Sequence, residues 1–379
     1  MRFVLSGYYG FGNAGDEAVL AGIREAFAQR AGGRVELIAL AHHPEETARL
    51  HGIETVDRMN LPAMRRTIRE SDLLISGGGS LLQDATSVRS LLYYLWVARI
   101  ALSHQVPVMF YAQGIGPLRR SISRSLVRIV ANRCACITVR DEASASLLRS
   151  IGVTRPPIEV TADPAFALRP ASAEIVDAVF RAEGLSPADA FVGVALRAWG
   201  HAESFLIPEY ARLLTALSAR CGARVLLLPM HVPQDVVFAE RVAQATGRPE
   251  AYPVLGRPYP PQVLLGLVGR MQAVVAMRLH ALIFAARMGV PPFALAYDPK
   301  VTGLMEALGM RDAMEHWREF DPERVADRVA AGIVERPERV AALCARLPDL
   351  EERALRNADR ALGLFAHGAV RNPLLTLRF

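Results

Sequence analysis

The sequence predicts an α/β protein made of two doubly wound domains that face each other across a cleft. Three observations predict it. The chain has 379 residues, more than one ordinary domain holds and about right for two. Short apolar runs alternate with helix-period segments, the signature of right-handed βαβ units and parallel sheets. The alternation breaks once, at residues 161–174 (TADPAFALRPASAE), and then restarts.

Before the break, strands are expected at Phe3–Ser6, Val35–Leu40, Asp72–Ser76, Val108–Tyr111, Ala135–Val139 and Ile158–Thr161, with helices such as Asp16–Gln29 and Val88–Ser103 between them. The break carries Pro164 and Pro170 without periodicity and reads as a domain linker. After it, strands are expected at Phe191–Leu196, Arg224–Met230, Ala273–Ala276 and Pro292–Ala296. Pro208–Arg220, Pro233–Thr246, Tyr259–Gly269 and Leu279–Met288 read as the helices between them. From about Asp321 the pattern is helical, with arginine and glutamate at i, i+4 spacing. The expected domains are residues 1–165 and 166–379, the helical tail capping the second and able to cross back to the first.

Composition narrows the function. Hydrophobic residues make up 51%, which excludes a disordered chain. The net charge of +6 favours anionic partners. The arginines are scattered rather than clustered, and neither zinc-finger spacing nor an aromatic–basic stripe is present, so nucleic acid is not expected as a partner. Cys134 and Cys136 form a lone CxC pair, poor metal spacing, and read as core residues; with Cys221 and Cys344 they fit a reduced, cytoplasmic protein. The N-terminal apolar run is too short for a signal peptide, and no stretch reaches the roughly 18 apolar residues of a membrane span. The segment SVRSLLYYLWVARIAL reads as a core helix, with peripheral contact at a membrane face left open.

Four glycine-bearing turns follow first-domain strands, where ligands sit in such sheets. GYYGFGNAGDE (Gly7–Glu17) meets the G-x-G-x-x-G pattern at Gly10, Gly12 and Gly15. It fails as a dinucleotide fingerprint, because the acidic residue due about 20 positions on would fall at Glu36, inside the next strand. Asp16 and Glu17 at the helix start repel phosphate, so a sugar-hydroxyl site using Asn13 and Asp16 fits better, beside the plain alternative of a capped turn. SGGGSLLQD supplies a flexible nest at Gly78 and Gly79, then Gln83 and Asp84, which suit sugar hydroxyls; Asp84 is also a candidate base. QGIGP contributes Gln113. In VRDEAS, Arg140 closes a strand and Asp141 is the expected N-cap.

In the second half the candidates are Arg197, His231 with Asp235, and above all MRLHALIFAARMGVPPFALAYDPK (residues 277–300). Its strands end just before Arg278 and His280, and just before Tyr297, Asp298 and Lys300. Adjacent parallel strands bring such ends to one rim, a place for a phosphate and a carboxylate. His280 is then a candidate general acid. The other histidines (His42, His43, His51, His104, His201, His316 and His367) are assigned no role.

GYYGFGNAGDE, GGGSLLQD, QGIGP, VRDEAS, MRLHALIFA and YDPK, in that order over residues 7–300, resemble the polysaccharide pyruvyl transferases, and closely the CsaB type that modifies secondary cell-wall polymers and serves S-layer anchoring. The resemblance implies two Rossmann-like domains in a GT-B arrangement. It implies transfer of pyruvyl from phosphoenolpyruvate (PEP), a co-substrate, to a lipid-linked sugar, as a 4,6-ketal on N-acetylmannosamine, at the inner membrane face. It implies functional roles for Arg140, Arg278, Leu279, His280 and Lys300, all read as PEP-binding, with His280, Arg140 and Lys300 catalytic. Asn13, Asp16, Gly78, Gly79, Gln83, Asp84 and Gln113 are then expected on the acceptor side. No cofactor and no metal are expected. Two other readings stay open: a nucleotide-sugar glycosyltransferase with Glu240 or Asp235 on the ribose, and a non-catalytic sugar-binding relative.

Overall fold

A computed structural model describes residues 1–85, 87–198 and 203–366; His201 and His367 lie outside them. The chain forms two units. The first comprises Met1–Phe11, Asp16–Leu168 and the described residues from Asp349 onward; the second comprises Gly12–Gly15 and Arg169–Pro348.

The first unit is built on seven parallel strands: β1 Arg2–Tyr9, β2 Glu36–Ala41, β3 Glu54–Asp57, β4 Leu73–Gly77, β5 Val108–Gln113, β6 Cys136–Val139 and β7 Ile158–Val160. Their order is β3-β2-β1-β4-β5-β6-β7, doubly wound about β1. The central strands are apolar on both faces because helices cover both. Val4, Ile38, Leu74, Phe110 and Ile137 lie in one core cluster, joined by Leu91, Tyr94, Leu95 and Val97 from the helix Val88–Ser103. That helix is therefore a core helix, started by the Ser87 side chain accepting from the Ser90 N–H.

Two features were not expected. β3 forms one edge of the sheet, and a second segment behaves differently from a solvent-exposed linker: Pro164–Leu168 is buried, with the Asp163 carboxylate accepting from the Ala165 N–H. The Pro164 carbonyl lies so close to Gly22 that a Cβ there would sit 2.1 Å from it. The boundary between the two units falls inside the break, at Leu168–Arg169, and only its first part, residues 161–168, is packed structure.

The helix Arg336–Gly363 runs through Pro348, which interrupts its hydrogen-bond ladder at the residue where the chain returns to the first unit. Beyond it, Ala354, Ala358 and Ala361 are buried. Asn357, also fully buried, accepts from the Thr138 and Thr161 hydroxyls at 2.6 and 2.8 Å. Its amide donates to the Ala162 carbonyl.

The second unit has five parallel strands, β8 Phe191–Ala195, β9 Arg224–Leu227, β10 Met271–Ala276, β11 Pro292–Ala296 and β12 Met314–His316, in the order β12-β11-β10-β8-β9. Helices Glu203–Arg220, Gln234–Ala245, Pro261–Val268 and Leu279–Arg287 match the expected ones to within a few residues. The helices Pro322–Val334 and Arg336–Gly363 make residues 322–363 helical apart from a turn at Glu335.

Candidate active site

In the second unit the candidate residues gather at the carboxyl ends of four strands. Arg197 follows β8, His231 and Asp235 follow β9, Arg278 and His280 follow β10, and Tyr297 and Lys300 follow β11. These strands are neighbours in the sheet, so their ends share a rim. Arg278 is the N-cap residue of the helix Leu279–Arg287, which places His280 in its first turn, where free N–H groups favour an anion. Leu279 is buried and serves the core.

Arg278 holds the buried Asp235 through both edges of a fork: Nε donates to Oδ2 at 2.8 Å and Nη2 donates to Oδ1. Asp235 Oδ2 also accepts from the Met230 N–H. The pair ties the end of β10 to the end of β9 and fixes the guanidinium plane. Lys300 lies in the first turn of the helix Pro299–Ala307; its Nζ is 3.7 Å from Asp298 Oδ2 and 5.6 Å from the centre of the Tyr297 ring. Arg197 Nη1 donates to the Tyr297 hydroxyl at 2.9 Å. Tyr297 thus joins two cations, a role its place in YDPK could have signalled.

Gly12–Gly15 group with this rim. The Ala14 N–H donates to the Met230 carbonyl at 2.8 Å and the Val232 N–H to the Gly12 carbonyl at 3.1 Å; Asn13 pairs antiparallel with His231. The Asn13 side chain accepts from the Gly15 N–H. A Cβ on Gly15 would stand 2.2 Å from His280 Nδ1. The lack of a side chain at Gly15, the second residue of the helix Ala14–Ala31, is what lets the imidazole lie where it does. Asn13 and Asp16, read together from the sequence, belong to different units.

In the first unit, Arg140 follows β6, and Asp141 caps the helix Glu142–Ser150 as expected. Arg140 Nη1 donates to buried Asp163 at 3.0 Å and Nη2 to Ser80 Oγ at 2.8 Å. Asp163 and Ser80 were not among the expected residues. The glycine turn after β4 is stitched by Gln113, which is fully buried and donates to the Gly78 and Gly79 carbonyls. Gly78 and Gly79 both have positive φ. A Cβ on Gly79 would lie 2.9 Å from Asp16 Oδ1, so the structure brings Asp16 beside this turn. Gln83 Oε1 accepts from the Ala85 N–H.

Asp84 is differently employed. Its oxygens accept from the Arg119 and Arg120 N–H groups at 2.7 and 2.9 Å. Burial pushes its carboxyl pKa up, but these amides outweigh that and hold it below the ordinary carboxylate range. This geometry makes it a clamp on the loop after β5.

Among the described residues no group of three or more His, Cys, Asp or Glu side chains could hold a metal ion. Cys134 and Cys136 are free thiols whose pKa burial raises, Cys136 to about 11, which keeps them protonated.

The profile described as Polysaccharide pyruvyl transferase matches residues 13–299. The chain belongs to the polysaccharide pyruvyl transferase family. The match runs from Asn13, inside the first glycine turn, to Pro299, the residue before Lys300. The amylovoran biosynthesis protein AmsJ of Erwinia amylovora is 22% identical over 264 residues, 64% of this chain; the chain spans 61% of that relative's length. Among solved structures, UDP-GlcNAc 2-epimerase from Neisseria meningitidis superposes with a TM-score of 0.62 at 12% identity, covering 96% of this chain and 100% of that one. The ADP-heptose LPS heptosyltransferase II of E. coli gives 0.54 at 15% identity, covering 89% and 100%. These likenesses show the fold. The chain is GT-B-like, with two Rossmann-like α/β domains.

Proposed function

We propose that this protein transfers the pyruvyl group of PEP to two hydroxyls of a saccharide, forming a cyclic ketal and releasing phosphate. The observation that carries this reading is the second-unit rim: His280 in a helix first turn, with Arg278 at its N-cap and Lys300 beyond the neighbouring strand. Asp235 takes the Nε and Nη2 edge of Arg278, which leaves the Nη1 side for a ligand oxygen.

In this reading Arg278 and Lys300 bind the phosphate and carboxylate of PEP, and Arg140 contributes a further cation. Protonated His280 delivers a proton to the methylene carbon. The resulting oxocarbenium-like carbon forms a C–O bond with one sugar hydroxyl, whose proton is released. The C–O bond to phosphate then breaks, the cations stabilise the departing charge, and the second hydroxyl adds to the same carbon and releases its proton, closing the ring. Two hydroxyls must be held near one carbon, a positioning task for the acceptor residues Asn13, Asp16, Gly78, Gly79 and Gln83, with buried Gln113 acting through the glycine turn it holds. No step calls on a cofactor.

The finer reading is an N-acetylmannosamine acceptor carried on a lipid, of the CsaB type, met at the inner face of the membrane. No described helix is long and apolar enough to cross a membrane. The nucleotide-sugar alternative loses one of its ribose-binding candidates, because Asp235 is committed to Arg278.

The test is incubation with PEP and an N-acetylmannosamine-containing acceptor, followed by mass spectrometry and a phosphate assay. A ketal-bound pyruvyl group with stoichiometric phosphate is expected. His280→Ala is expected to abolish turnover at an unchanged unfolding midpoint, and Lys300→Ala to raise the KM for PEP. Near-normal turnover in folded His280→Ala removes the histidine from the mechanism.

A further inference from the structure

At the carboxyl ends of β1, β2 and β3, the first unit carries a feature that the mechanism does not use. Three flat rings stack there. Tyr8 lies on Phe11 with centroids 4.0 Å apart and planes 7° from parallel, and Phe11 lies on His42 at 4.4 Å and 9°. Tyr8 and Phe11 are half-buried and His42 is exposed, so the pile reaches solvent.

Beside it stands Arg58, the first residue after β3, only 8% exposed. Its guanidinium carbon is 4.0 Å from the centre of the Tyr93 ring, 5.1 Å from Phe11 and 5.5 Å from Tyr94. Nη1 donates to the Tyr94 hydroxyl at 3.5 Å, the outer limit of a hydrogen bond. No carboxylate among the described residues pairs with it, whereas Arg140 and Arg278, also at strand ends, each hold a buried aspartate. Aromatic faces stabilise such a cation partly, but a largely desolvated charge without a counter-ion is costly. The arrangement suits an anion that arrives with a ligand. Tyr8 also links this place to the acceptor residues: burial raises its pKa, and both Asp16 and Arg58 act on its hydroxyl.

We propose that Arg58 and the Tyr8–Phe11–His42 stack form a subsite for an anionic oxygen group, phosphate or carboxylate, borne by the saccharide acceptor. The stack carries the apolar face of a sugar ring, and Arg58 pairs with the charge beside it. That the ligand is a saccharide rests on the pyruvyl-transfer reading; the anion preference rests on Arg58.

The test is calorimetric binding, without PEP, of three probes: the methyl glycoside of N-acetylmannosamine, N-acetylmannosamine 1-phosphate, and the methyl glycoside of the corresponding uronic acid. The wild type is expected to bind at least one anionic probe about tenfold more tightly than the neutral one, and the better anionic probe identifies the source of the charge. Arg58→Gln is expected to bring that probe down to the neutral level, Arg58→Lys to retain part of the preference, and Phe11→Ala to weaken all probes that bind. Equal treatment of the three probes by the wild type, or none binding, overturns the subsite; so does an unchanged preference in folded Arg58→Gln. If Arg58→Gln does not fold, the wild-type comparison and Arg58→Lys decide. Ketal formation is assayed separately. Ketal product without anion preference sinks the subsite alone; anion preference without ketal product sinks pyruvyl transfer alone.

Discussion

Residues 15 and 280 show how a contact decides what a residue can do. Gly15 has no positive φ in the structure, so alanine suits its backbone; what alanine cannot avoid is the His280 ring, 2.2 Å from the new Cβ. Gly15→Ala therefore isolates the position of the imidazole. We expect a loss in kcat of about 10²-fold, the scale of a misplaced reacting group, with the unfolding midpoint little changed; steady-state kinetics and chemical unfolding check both. Asp84 gives a second residue-scale test, in pH. Its folded carboxyl pKa is depressed, so its stabilising contribution is present above the unfolded carboxylate value and is lost as pH falls through the folded one. Acid unfolding of Asp84→Asn, followed by circular dichroism, should show a shallower loss of stability on acidification below about pH 4 than the wild type shows. The strand-end positions of Arg140, Arg278, His280 and Lys300 were legible in the sequence because short apolar runs end just before them. The pairing of Arg140 with Asp163 and of Arg278 with Asp235 was not. Asp235 lies 43 positions from Arg278, and the amides that hold Asp84 lie 35 and 36 positions away. Pairing over such distances is set by strand order, which periodicity does not encode.

Element by element, legibility followed burial. β1, β4, β5, β8, β10 and β11 are buried along most of their length and read as apolar runs. The edge strands β3 (ETVD) and β12 (MEH) are short, polar and partly exposed, so nothing in their composition separates them from loops. Arg58 was missed with β3, the strand that delivers it. The helix Arg336–Gly363 was legible as a helix, but the hydrogen bonds of Asn357 were not. Removing that side chain in Asn357→Ala leaves the Thr138 and Thr161 hydroxyls without their acceptor. Each has a second carbonyl at 3.2 Å, Phe110 and Val139 respectively. The expected cost is therefore about 2 kcal/mol rather than two full desolvation penalties, measured as a lower midpoint of urea unfolding.

For the whole molecule, chain connectivity is the organising fact. The first unit closes with residues from the far end of the sequence, and four residues near the start are given to the second. A chain ending at Pro348 tests what that closure is worth. It would lose the buried Ala354, Ala358 and Ala361, the acceptor for Thr138 and Thr161, and the ion pairs of Glu352 with Arg30 and of Arg360 with Glu159. The exposed pairs contribute little; the buried apolar face and the satisfied hydroxyls carry the energy. Nothing of the strands β8–β12 is removed. Trp96 lies in the first unit and Trp317 in the second. With Trp199 and Trp317 changed to Phe, Trp96 fluorescence reports on the first unit; with Trp96 and Trp199 changed, Trp317 reports on the second. In the shortened chain the Trp96 transition should move to much lower urea or vanish, while the Trp317 transition persists. An unmoved Trp96 midpoint would show that β1–β7 and their own helices suffice, and that the returning helix is a passenger on the first unit rather than part of its core.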